Sequence, residues 1–158
     1  MRPQRYPLEP LSDLRDRRVE EATGMLAAVI RAKDAATARL RTALLRRDGH
    51  ARATAGVRQA ELEALGRGDL RARDLARVDA WGVRTGAERD ALTAAVAAAQ
   101  DVEAKERVRQ AQAQASVAAR TADAQVVASH RARWDEAGRR AVEASAEEAA
   151  FEAWRPKR

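Results

Sequence analysis

The sequence predicts an all-α protein, a long two-helix antiparallel coiled-coil hairpin. Three observations lead there. The chain has four prolines, Pro3, Pro7, Pro10 and Pro156, and none between the last two. An interior proline costs a helix about 3 kcal/mol, so a proline-free stretch of this length permits very long helices. Alanine, leucine, arginine and glutamate dominate the composition, as in extended helices and coiled coils. Only 3% of residues are aromatic and Ile30 is the sole isoleucine. Large side chains supply most of the buried area in a core, so a thick globular interior is hard to assemble from this chain. Alanine instead allows two helices to approach closely.

The 158 residues fit one domain. Ser12 follows Pro10 closely and is the expected cap of helix one, with Asp13 and Asp16 at its positive end. Helix one is expected from about residue 12 to 65, carrying Leu14, Ala22, Leu26, Val29, Ala36, Leu40 and Leu44 at spacings that form a narrow stripe, interrupted by Lys33. At 1.5 Å per residue it would reach ~80 Å. Gly66-Arg67-Gly68-Asp69 is the densest turn signal, and Asp69 is the expected cap of the next helix. A second turn candidate is Gly82 to Gly86, where Thr85 and Glu88 have capping-box spacing; it is read as a weak place in helix two. Asp48-Gly49 and Gly138 are further candidate bends. Helix two is expected over about 70 to 153, with Leu92, Val96, Ala99, Val117, Ala124, Val127, Trp134 and Ala141 along its seam, and Pro156 stops it. No internal repeat is evident, which excludes a solenoid.

Catalysis requires groups of tuned pKa converging in a water-excluding pocket, which two slender helices do not provide. The chain is read as a non-enzyme, with no catalytic residue, cofactor or metal. His50 and His130, the only histidines, lie on different helices without a ligand companion one turn away and are read as solvated polar residues. Gly66-Arg67-Gly68 lacks the Lys and Ser/Thr of a phosphate loop. There is no cysteine, so no disulfide or thiolate metal site. No apolar run nears the ~20 residues of a membrane span, and Met1–Pro10 carries no signal-peptide core.

Net charge is +6, almost all of it from arginine. Arg39, Arg41, Arg46, Arg47, Arg52 and Arg58 stand against Asp48 alone. They read either as a solvated face written by GC-rich codons or as a surface for an anionic partner. No aromatic residue in this stretch could stack on bases, which weighs against nucleic acid. Trp134 fits the seam, Trp154 stands with Phe151 near the end of helix two, and Trp81 either packs on helix one or anchors a partner.

The string Arg5-Tyr6-Pro7-Leu8-Glu9-Pro10-Leu11-Ser12-Asp13-Leu14-Arg15, followed by Arg18, Glu20 and Glu21, resembles the opening of the FliJ/YscO family. These are central stalk proteins of flagellar and virulence type III secretion systems. The family opens with an aromatic, a Leu-x-x-Leu-x-x-Leu run and an Arg- and Glu-rich helix, and the Tyr-Pro-Leu-Glu-Pro-Leu string is closer to the virulence branch. The close match covers about the first twenty residues; beyond them length, basicity and the helix–turn–helix layout agree. The resemblance implies an antiparallel coiled coil whose N- and C-terminal ends enter the pore of a hexameric export ATPase, with the bend reaching toward a membrane export gate. It implies that Leu8, Leu11, Leu14, Arg15 and Arg18 contact the ATPase and that Trp81 faces the gate; Thr85 and Glu88 depart from the apolar patch expected beside it. It places the chain in the bacterial cytoplasm at the cytoplasmic face of the secretion apparatus, peripheral to the membrane only through partners, with substrate-escort chaperones as further partners of some members. The alternative is a basic coiled-coil nucleic-acid-binding or scaffold protein.

Overall fold

The structure, a computed structural model, describes residues 5–154, and of Ala72 the backbone only. It is all-α: helix α1 (Glu9–Gly66) and helix α2 (Ala72–Trp154) pack against each other as a helical hairpin.

Helix α1 begins earlier than the capping pattern indicated. The Leu8 carbonyl accepts from the N–H groups of Leu11 and Ser12, at 3.1 and 3.0 Å, so Leu8 is the cap residue and Ser12 lies inside the helix. Pro10 therefore falls in the first turn, where its missing N–H has no helical acceptor to lose. The end of α1 is closed by a pair of reversed hydrogen bonds: Asp69 N–H donates to Ala64 O and Gly68 N–H to Leu65 O, both at 3.0 Å. This arrangement needs a left-handed residue, supplied by Gly68 at φ +75°. Helix α2 is capped by Asp74, not Asp69. The Asp74 carboxylate accepts from the Arg71 N–H at 3.0 Å, while the Arg71 carbonyl accepts from Asp74 and Leu75. Asp69 instead holds Arg67 at 2.8 Å across the turn.

Gly49, the Gly82–Gly86 stretch and Gly138 all lie within continuous helix. Thr85, expected to cap a break, turns its hydroxyl back onto the Trp81 and Gly82 carbonyls. The stop expected at Pro156 lies outside the described residues.

Contacts cluster into two units. The turn unit is residues 28–111, and the terminal unit is residues 1–27 with 112–158. In the turn unit a run of covered positions on α1, Val29, Lys33, Ala36, Leu40, Ala43, Arg47, His50 and Thr54, alternates by three and four, and Leu44, Glu61 and Ala64 are half-buried beside it. On α2 they include Val78, Trp81, Thr85, Leu92, Val96, Ala99, Glu103, Glu106 and Gln110. In the terminal unit Leu11, Arg15, Val19, Ala22 and Leu26 of α1 are covered, with Ala113, Val117, Thr121, Ala124, Val127 and Trp134 of α2. Leu14, expected in the stripe, is exposed; Arg15 occupies the seam position beside it.

The seam is thin. Among the described residues only Tyr6, Ala22, Ala36, Val96 and Val127 form a buried apolar core, and none is fully enclosed. Thr85 and Glu103 are the buried polar members. Two helices bury a strip and no centre, so apolar burial per residue is low and ion pairs take up seam positions that leucine would fill in a thicker bundle.

Candidate interaction surface

The terminal unit is held by one aromatic cluster. Tyr6 precedes α1 and is 5% exposed. Its Oη lies 2.8 Å from His130 Nδ1 and 3.5 Å from the Val127 carbonyl. The Tyr6 ring meets Trp134 edge-on at 6.2 Å, and the Arg131 guanidinium sits over it at 5.7 Å. Arg131 also donates to Glu9 at 3.2 Å, which ties the first turn of α1 to α2. Two turns further along α1, Arg15 donates to Asp123 at 2.5 Å. His130 is exposed, as expected, while one ring nitrogen meets Tyr6; His50 is half-buried, unlike the solvated residue expected. In the turn unit, His50 is 17% exposed at its side chain, with Nε2 3.2 Å from the Thr85 carbonyl and Nδ1 3.7 Å from the Glu88 carboxylate.

The residues that the resemblance singles out are divided by this geometry. Leu8 and Leu14 are exposed, and so is Arg18 one turn beyond Leu14. Leu11 is half-buried in the seam. Arg15 is engaged with Asp123 and presents less of its charge outward. Trp81, in the turn unit, is half-buried, one helical turn before Thr85.

Beyond Glu136 every described residue of α2 is exposed, because α1 offers nothing opposite it. Ala141, expected in the seam, is part of this arm. The arm carries Val142, Phe151 and Trp154, the last 81% exposed. At its base Glu136 accepts from Arg139 at 2.6 Å and from Arg140 at 3.0 Å. The Arg139 hydrogen bond and charge, helped by Arg140, hold the Glu136 carboxyl below the usual carboxylate range, and Glu136 in turn raises Arg139 above its ordinary value.

In the turn unit, an open furrow runs between the helices. Ala38, Thr42 and Ala43 of α1 and Leu92 and Ala95 of α2 line it, with Arg39 and Arg46 on its rim. Arg39, Arg41, Arg46, Arg52 and Arg58 make no ion pair with a described residue, whereas Arg47 is taken up by Asp48 at 2.7 Å. Among the described residues no three His, Cys, Asp or Glu side chains converge as a ligand set. No helix among them is long and apolar enough to cross a membrane.

No protein-family model, curated protein or solved structure matches the chain.

The aromatic cluster was only partly legible. Trp134 stands seven residues after Val127, a seam spacing visible in the sequence. Tyr6 lies outside α1, where helical periodicity carries no information. His50 continues the three-and-four spacing of Ala43 and Arg47, so the signal was there; polarity masked it.

Proposed function

We propose that this chain is a central stalk of a type III secretion export apparatus, binding the pore of the hexameric export ATPase and linking it to the membrane export gate. It works by binding, without catalytic residues or cofactor, in the bacterial cytoplasm at the cytoplasmic face of the apparatus. The reading starts from the resemblance of Tyr6–Glu21 to the FliJ/YscO opening. The observation that carries it is the terminal unit: Leu8, Leu14 and Arg18 stay uncovered beside an α2 arm that α1 leaves without a partner. An exposed leucine pair with a neighbouring cation fits a partner surface that is apolar with acidic rims. Trp81 is the candidate gate contact in the turn unit, and escort chaperones are further candidate partners.

Titrating the chain into a purified type III export ATPase tests the reading. Hydrolysis should rise and hexamers should accumulate, and Leu8→Ala with Leu14→Ala should abolish both effects. Unchanged hydrolysis and unchanged assembly, with both proteins folded, would contradict it.

The exposed arginines without an ion-pair partner among the described residues favour one alternative, a basic coiled-coil nucleic-acid-binding or scaffold role. That role requires a mobility shift that weakens steeply with salt and disappears when Arg46 and Arg47 are reversed in charge.

A further inference from the structure

Two surfaces are uncovered among the described residues, and they differ in charge. The first is the α2 arm. Beyond Arg139 and Arg140, which Glu136 engages, its stretch from Ala141 to Trp154 holds Glu143, Glu147, Glu148 and Glu152 and no lysine or arginine. Phe151 is 65% exposed. The direction of the seam runs on into the arm: Val127 and Trp134 are followed at the same sevenfold interval by Ala141 and Glu148, flanked by Ala144 and Phe151. This stripe is set to receive another helix, but α1 has ended. A helix segment without a packed face draws most of its stability from tertiary contact, so a partner would order the arm.

The second surface is the furrow of the turn unit. Its floor is small, being mostly alanine, and admits a third helix at close range. Its rim carries Arg39 and Arg46, two turns apart on α1 and without carboxylate partners among the described residues.

We infer that the chain self-associates by seating the arm of one copy, through Ala141, Ala144, Glu148 and Phe151, in the Arg39/Arg46 furrow of a second copy. The alanines of the arm meet the alanine floor, Phe151 covers Leu92, and Glu148 with Glu152 approaches the two guanidiniums. Arginine suits this place because its planar fork binds a carboxylate through two donors. The contact is heterologous, joining different patches of the two copies, so each copy has one of each surface to offer.

The test uses the full chain and contains no ATPase, so its result is independent of the stalk reading. Sedimentation velocity over a concentration series should show association at low salt that weakens as salt rises. Glu148→Arg with Glu152→Arg in one variant, and Arg39→Glu with Arg46→Glu in another, should each weaken association about tenfold or more, a change of about 1.4 kcal/mol per tenfold. Circular dichroism checks that both remain helical. Mixing the two variants brings opposite charges together at both arm–furrow junctions, so a mixed species should form where neither variant associates alone. A chain that stays monomeric at low salt, association indifferent to both substitutions, or variants that fail to rescue each other would overturn the inference. So would loss of nucleic-acid binding as the only effect of the arginine reversal.

Discussion

The Tyr6 hydroxyl lies 2.8 Å from Nδ1 of His130, joining a residue ahead of α1 to one late in α2. Around that contact Trp134, Arg131 and Glu9 complete a small cluster, and every described residue beyond Glu136 is exposed. The cluster thus marks where pairing stops and the arm begins.

Tyr6→Ala should loosen this end of the pair. Truncating a buried aromatic typically costs about 3–5 kcal/mol, and the low figure applies here because the site is at a helix end that can collapse or fray. Tyr6→Phe keeps the ring and should cost about 1 kcal/mol, the worth of one hydrogen bond. Urea denaturation followed by circular dichroism gives both values. Hydrogen exchange should speed up around residues 127–134 in the alanine variant and leave the turn unit unchanged.

Arg15 and Asp123 form a close ion pair that is part-exposed on both sides. Solvent screening limits such a pair, so a double-mutant cycle with Arg15→Ala and Asp123→Ala should give a coupling of about 1 kcal/mol or less. The coupling should shrink in high salt. A coupling of several kcal/mol would mean that the pair is sealed from water.

Glu103 is 6% exposed and pairs with Arg107, which is mostly in water. The carboxylate is the part that loses hydration, while its partner can return to solvent unaided. Glu103→Leu should therefore stabilise the protein by about 1 kcal/mol, the low end for buried ion pairs replaced by apolar residues, because only one charge leaves the seam. A rise in the thermal midpoint checks this. A fall would show that the carboxylate has a further obligatory partner in the seam.

Glu136 supplies the pH dependence. Arg139, then Arg140, lowers its pKa in the folded arm relative to the ordinary value of an unfolded carboxylate. Its contribution to local helix order is complete above the ordinary carboxylate range and is lost as pH falls through the lowered value. A carbon-13 titration of the Glu136 carboxyl should give a midpoint below that of the Arg139→Ala, Arg140→Ala variant. Equal midpoints would show that the two arginines do not act on it.

The long-range plan of the fold was readable because single residues dictate it. The absence of proline between Pro10 and Pro156 allows helices of this length, and Gly68 provides the one left-handed residue that the turn needs. Local ends were less readable. Leu8 caps α1 through its backbone, so no side-chain signature announced it, and Asp74 outcompetes Asp69 because it sits three residues after Arg71. The seam was legible in its spacing and not in its chemistry. Arg15, Lys33, Arg47 and His50 hold positions normally read from apolar residues, so a search for leucine chose Leu14 over its neighbour. Of the candidate contact residues, the resemblance picked out Leu8, Leu14 and Arg18, which are exposed, together with Arg15, which is engaged in the pair; burial depends on register, which local sequence does not encode.

Site-specific photo-crosslinking to the export ATPase tests the central claim most directly. A photoreactive residue at Leu14 and another at Leu45 are both exposed, one in the terminal unit and one in the turn unit. The stalk account requires adducts with the ATPase hexamer from Leu14 and none from Leu45. Adducts from Leu45 alone, or from neither position under conditions where the hexamer forms, would contradict it.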